Sequence, residues 1–151
     1  MLKVIIFYEK QQMRRVMKNY KRIDFTIMGD DRGSLIALEE HHNAPFEIKR
    51  VYYLFDTKAG VRRGFHAHKD LKQIAVCVKG SCRFHLDDGE TKEELLLDTP
   101  DRGLLIEGLV WREMYDFSPD CVLMVVASEH YDAMDYIRDY DEFLKEVSHE
   151  N

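Results

Sequence analysis

Cysteine is scarce in this 151-residue chain: Cys77, Cys82 and Cys121 are all there are, an odd number with no CxxC or metal-ligand spacing. That pattern excludes a disulfide framework and suggests no zinc site, so reduced thiols in a cytosolic setting are the expectation. Low-complexity stretches, Pro/Gly/Ser linkers and internal repeats are absent as well. The opening segment has only a four-residue apolar run, Val4 to Phe7, before charge returns. This is too short for a signal h-region and far short of a membrane span, which leaves neither export nor membrane anchoring in view. What remains is the composition of an ordinary soluble domain, 45% hydrophobic, 11% aromatic and 33% charged.

The formal net charge of −6 hides an asymmetry. Residues 1–22 carry seven Lys/Arg against the single acid Glu9, so the rest of the chain stands at −12. A body that acidic repels a nucleic-acid backbone, and nucleic acid is not an expected partner. Residues 1–21 form a basic N-terminal arm, read as an extra strand or helix on the body. Residues 22–151 form one domain, within which an amphipathic helix over about 130–148 is expected from Tyr131, Met134, Ile137, Tyr140, Leu144 and Val147.

Between about residues 23 and 128, eight short runs of branched and aromatic residues recur: FTIM, SLIALEE, IKRVYYLF, QIAVCVKG, CRFHL, ELLL, GLLIEG and VLMVVAS. Turn signals such as GDDRG, NAP, KAG, DDGE and TPDRG separate them. Short strands with no helix between them predict an all-β sandwich or barrel, most simply a small jelly roll. Asp88-Gly89 marks a hairpin; the surrounding Asp87-Asp88-Gly89-Glu90 lacks the other ligands of a calcium loop. Within a strand, residues two apart share a face, which pairs His66 with His68 and Arg50 with Tyr52. Tyr53 falls on the opposite face, as core or interface. His41, His42, His85, His130 and His149 belong to no motif, and Cys77 reads as a small packing residue.

Gly60-VRRGF-His66-Ala67-His68-KDLK-Gln73-IAVCVK-Gly80 resembles the first cupin motif at every spacing, with Gln73 in place of the family's glutamate. The second motif falls on Ile106-Glu107-Gly108-Leu109-Val110-Trp111-Arg112-Glu113-Met114-Tyr115 and puts Trp111 where the metal histidine would stand. Indole cannot coordinate a divalent ion and a neutral amide replaces a carboxylate poorly, so neither metal nor other cofactor is expected. Arg63-Gly64-Phe65-His66 resembles the R-G-x-H signature of the nucleotide-sugar 3,5-epimerases. Asp31-Arg32-Gly33, Lys49-Arg50-Val51-Tyr52-Tyr53, Arg63 through His68, Tyr131-Asp132 and Asp135-Tyr136-Ile137-Arg138 are closer to a sister group, the dTDP-4-keto-6-deoxy-D-glucose 3,4-ketoisomerases of the FdtA/WxcM-like type. The likeness covers about residues 22–145. Arg112 departs from it where a histidine is expected, which bears on substrate preference or product stereochemistry.

The resemblance implies a cupin barrel that moves a carbonyl from C4 to C3 of a dTDP-linked 4-keto-6-deoxy hexose, in the making of amino-deoxy sugars for bacterial surface polysaccharides. It assigns His66 as the base at C3 and His68 to proton movement between the oxygens or to C4. Histidine suits both, accepting and donating near its pKa of about 6.5. Tyr52 is the candidate donor to the ketone oxygen, where negative charge grows. Arg63 is the first candidate for the diphosphate and Arg50 the second, with Trp111 walling the pocket. A homodimer made by exchange of N-terminal strands is the implied assembly. The competing readings are a non-catalytic nucleotide-sugar binding cupin, which would bind dTDP without proton exchange, a 3,5-epimerase of the same substrate, and a metal cupin such as a dioxygenase.

Overall fold

A computed structural model of the chain describes residues 17–150. Most of the basic arm, residues 1–16, lies outside the described residues; its described end, Met17 to Lys21, puts Met17 in the core and opens the first strand at Tyr20.

The alternating runs become strands β1 (Tyr20–Asp24), β2 (Met28–Asp30), β3 (Gly33–Leu35), β4 (Arg50–Leu54), β5 (Arg63–His68), β6 (Gln73–Lys79), β7 (Cys82–Asp87), β8 (Lys92–Leu97), β9 (Arg102–Ile106), β10 (Trp111–Tyr115), β11 (Val122–Ala127) and β12 (Tyr136–Ile137). One helix, α1 (Tyr140–Glu150), follows. Two five-stranded sheets, ordered β1-β9-β6-β11-β4 and β12-β5-β10-β7-β8, carry the domain, and β2-β3 forms a separate hairpin. All their pairings are antiparallel. The two sheets are not hydrogen-bonded into a closed cylinder, so the expected jelly-roll barrel is present in open form.

Side-chain alternation builds the core between the sheets. Ala75 and Cys77 of β6, Leu104 and Ile106 of β9, and Leu123 and Val125 of β11 meet Phe84 and Leu86 of β7 and Leu95 and Leu97 of β8. The central strand β6 is buried on both faces, because Ile74 and Val76 on its far side lie under Phe25, Ala44 and Phe46. That explains its uninterrupted apolar run. The β7–β8 hairpin forms where Asp88-Gly89 predicts it. Asp87 and Asp88 accept hydrogen bonds from the backbone N–H groups of Gly89, Glu90 and Thr91, so those carboxyl groups serve the turn.

Two expectations are corrected. SLIALEE is strand only through Leu35, and the chain then runs irregularly to Lys49, fixed by the Asn43 side chain, which accepts from Glu39 N–H and donates to Ala37 C=O. The helix begins at Tyr140 rather than near 130. Asp132 caps a 3-10 turn at Ala133–Asp135, and Tyr136–Ile137 then pair with β5. Asp139 caps the helix, its carboxylate accepting from Glu142 N–H at 2.9 Å. α1 buries Phe143 against Ala67, Leu109, Trp111 and Ile137 on the outer face of the second sheet.

Candidate active site

The start of β5 is the most distorted backbone in the two sheets. Gly64 (φ +94) and Phe65 (φ +54) are both left-handed, and the pairing with β10 slips so that Arg112 faces His66 while Glu113 faces Gly64. Phe65 is the extra residue of a β-bulge, and its side chain is exposed. Residues directly opposite in an antiparallel ladder point the same way, so His66 shares its face with Arg112. The bulge also brings Arg63, opposite Met114, onto that face; an unbroken strand would send it to the other side. Gly64 has no room for a side chain, since a Cβ would lie 2.7 Å from the Arg112 carbonyl oxygen. Gly64→Ala should therefore cost about 1–3 kcal/mol, read as a lowered thermal midpoint, and an unchanged midpoint would show that the bulge is not under constraint.

His66 and His68 project together, with ring centroids 4.8 Å apart in an edge-on contact, and Tyr136 packs against both at 5.0 and 4.3 Å. His68 is fully buried, and its Nδ1–H donates to Asp135 Oδ2 at 2.8 Å. The other carboxylate oxygen of Asp135 accepts the backbone N–H groups of Lys69 and Asp70, each at 3.2 Å, so the carboxylate cannot swing away. This arrangement fixes the His68 tautomer and leaves Nε2, buried and without a partner, as a lone pair. Burial and the Arg112 guanidinium push His66 down to about 4 and His68 further, to about 2. Both rings are neutral at pH 7, and the contact with Asp135 joins an uncharged imidazole to a carboxylate.

Opposite the histidines runs a second chain of contacts. Arg112, 2% exposed, donates to Gln73 Oε1 at 3.0 Å, and Gln73 Nε2 donates to the Tyr52 hydroxyl oxygen at 2.8 Å. Tyr52 thus has its acceptor position filled and its own proton free to point elsewhere. Burial raises its pKa, keeping it a phenol. Arg112 retains two buried N–H bearing atoms, Nε and one terminal nitrogen, without partners. Burial lowers its pKa only to about 10, so it remains a cation. Tyr52, His66, Gln73, Arg112 and Met114 line one narrow interior niche, while Arg50, His68, Tyr131, Asp135 and Tyr136 line a cleft of about 410 Å³ beside it. The histidine pair stands between the two.

Of the residues singled out in the sequence, His66, His68, Tyr52 and Arg50 come together, and Arg63 lies exposed at the start of the same strand. Arg50 stacks over Tyr52 at 5.3 Å and Tyr131 at 5.8 Å, its buried Nε unpartnered. Trp111 does not line the pocket. Alternation along β10 turns Arg112 and Met114 inward and sends Trp111 outward, where its ring meets Tyr140 edge-on at 5.3 Å and its N–H donates to Glu113. Its neighbour Arg112, noticed in the sequence only as a departure from a pattern, is the inward residue. Gln73 was visible as a lost ligand and Asp135 only as part of a resembling segment. None of the residues facing this niche forms a cluster of His, Cys, Asp or Glu suited to a metal ion; among the described residues the one such cluster is Cys77, Cys82 and Cys121, elsewhere in the core.

A TDP-4-oxo-6-deoxy-alpha-D-glucose-3,4-oxoisomerase from Aneurinibacillus thermoaerophilus is 57% identical over 128 residues, spanning 85% of this chain and 92% of that protein. The TDP-quinovose 3,4-ketoisomerase of Campylobacter jejuni superposes with a TM-score of 0.83 at 51% identity, covering 85% of this chain and 99% of that one. A histidine-to-asparagine variant of the 3,4-ketoisomerase QdtA from Thermoanaerobacterium thermosaccharolyticum, in complex with TDP-4-keto-6-deoxyglucose, gives 0.87 at 40% identity over 89% of this chain and 97% of that one. The profile of the FdtA family, described as WxcM-like, C-terminal, matches residues 18–148, and the chain belongs to that family.

Proposed function

We propose that this protein is a sugar 3,4-ketoisomerase that converts dTDP-4-keto-6-deoxy-D-glucose to a dTDP-3-keto-6-deoxy hexose through an enediol. The observation that carries the reading is the pair of neutral imidazoles facing an uncommitted phenol proton and a buried guanidinium. The C4 ketone acidifies the proton on C3. His66 removes it, and the electron pair moves toward O4, where the Tyr52 hydroxyl and the Arg112 cation stabilise the developing charge in a site shielded from water. His68, its Nε2 lone pair free, carries a proton between O3 and O4. The protonated His66 imidazole gives a proton, exchangeable with solvent, to C4, which leaves the carbonyl at C3 and returns the base to its neutral form. No electrons enter or leave overall, so the step needs no redox cofactor.

Arg112, Arg50 and Arg138 stand near His68, while Asp70, Glu129, Asp132 and Asp135 share the lining of the cleft. Arg63, delivered to the same face by the bulge, and Arg50 at the cleft are the groups that would hold the diphosphate. The assembly is a cytosolic homodimer formed by exchange of N-terminal strands. Exposed Ile27, Met28 and Leu35 next to β1 support it, and no helix among the described residues is long and apolar enough to cross a membrane. Sedimentation at micromolar concentration should give a dimer, and a monomer would contradict it.

Incubation with dTDP-4-keto-6-deoxyglucose should produce a 3-keto isomer visible by proton NMR, and recovery of unchanged substrate would overturn the reading. The pH profile follows from the histidine environments. Because burial and Arg112 lower His66 to about 4, the base stays deprotonated well below the ordinary imidazole range. The acid limb of kcat/KM should therefore lie near pH 4, with activity sustained at pH 5.5; a limb at about 6.5 would mean a solvated base.

A further inference from the structure

The three cysteines that the sequence scatters over 45 positions converge in the core. Cys77 closes the buried part of β6, Cys82 opens β7 beyond the Gly80-Ser81 turn, and Cys121 leads into β11. All three are buried, at 0%, 0% and 3% exposure. Cys77 Sγ lies 3.4 Å from Cys82 Sγ and 3.8 Å from Cys121 Sγ, and all three sulfurs fall within 4.8 Å of one another. An ion bound about 2.3 Å from each of three sulfurs holds them about 3.3 Å apart as a right-angled pyramid and about 4.0 Å apart as a planar triangle. The Cys77–Cys82 and Cys77–Cys121 separations fall inside that window, and Cys82 Sγ and Cys121 Sγ are no more than 4.8 Å apart.

We propose that Cys77, Cys82 and Cys121 form a three-thiol site for a trivalent thiophilic ion of the arsenite class. Charge selects the ion. The sulfurs sit in the apolar core with Phe84, Leu97 and Leu123. Three thiolates on a monovalent or divalent ion leave a net negative complex, which this interior penalises. A trivalent ion gives a neutral one. Arsenite reacts as As(OH)₃ with three thiols: three S–H and three As–O bonds break, three As–S bonds form, and three waters leave. Arsenic stays trivalent and no electron is transferred. Cys121 also lines a surface cavity of about 380 Å³ with Tyr53, Phe55 and Asp120, which supplies a route in. The cluster lies toward the far end of β6 from Gln73, so it is separate from the histidine site.

Native mass spectrometry of the folded chain with one equivalent of arsenite tests this directly. The expected species carries one arsenic and has lost three hydrogens, the signature of three As–S bonds. An adduct that retains an As–OH group, reporting only two sulfurs, would overturn the proposal, as would no adduct at all. Cys121→Ser should weaken binding by more than the roughly 10–100-fold that loss of an outer-shell partner costs; equal affinity in that variant would also overturn it. Zinc or cadmium binding more tightly than arsenite in direct competition would refute the charge argument.

Discussion

Replacing His66 with asparagine should lower kcat by at least about 10³-fold, an increase in the barrier of about 4 kcal/mol. Asparagine keeps much of the shape and a polar terminus but cannot take a proton from carbon. The loss should be specific to chemistry. His66 is half-buried and makes ring contacts with His68 and Tyr136 rather than filling the core, so the thermal midpoint and the affinity for TDP should change little. Single-turnover kinetics with calorimetric measurement of TDP binding separates these effects. A variant that retains kcat within tenfold of the parent would remove His66 from the role of carbon base.

Asp135→Asn is the second change with a large expected effect, about 10²–10³-fold in kcat. Asp135 is a positioning residue, and the reason for its effect is geometric. One of its oxygens is claimed by the backbone N–H groups of Lys69 and Asp70, which require an acceptor. In the asparagine variant the amide oxygen must stay there, so the NH₂ group turns toward His68 Nδ1. That nitrogen then has to accept, and the ring proton moves to Nε2, which removes the lone pair from the site. Nitrogen-15 NMR of His68 should report an Nδ1–H tautomer in the parent and an Nε2–H tautomer in the variant. A merely structural role for Asp135 would lower stability without exchanging the tautomer. An active variant with the exchanged tautomer would show that His68 Nε2 does not carry the proton.

Much of this site could be read from alternation and spacing. The i, i+2 rule placed His66 with His68 and Arg50 with Tyr52, and those pairs do face together. Arg63 could not be placed that way, because it is three residues from His66 and reaches the same face only through the bulge at Phe65. Nothing in a one-residue slip is visible to a period-two pattern. Trp111 and Arg112 show the same weakness in another form. Matching a motif by spacing put Trp111 at the ligand position, whereas the ladder of β10 turns Arg112 inward.

The segment from Tyr131 to Ile137 misled for a different reason. Its apolar residues recur at helical spacing, but Asp132 and Asp139 each bind backbone N–H groups and punctuate the chain twice before α1 starts. The segment instead packs Asp135 and Tyr136 against His68, a tertiary contact that overrides local periodicity. In the sequence Gln73 shows only as a glutamine at a motif's glutamate position, and the cysteines only as residues outside any motif. Their neighbours, Tyr52 and Arg112 for the one and each other for the rest, are set by cross-strand pairing and are invisible in sequence order.

The most direct test of the histidine-pair mechanism is the position of solvent deuterium in the product. With dTDP-4-keto-6-deoxyglucose turned over in D₂O, the account predicts a 3-keto sugar labelled at C4 and unlabelled at C5, with labelling lost in the His66→Asn variant. Deuterium at C5, or label at C3 with no 3-keto product formed, would contradict it.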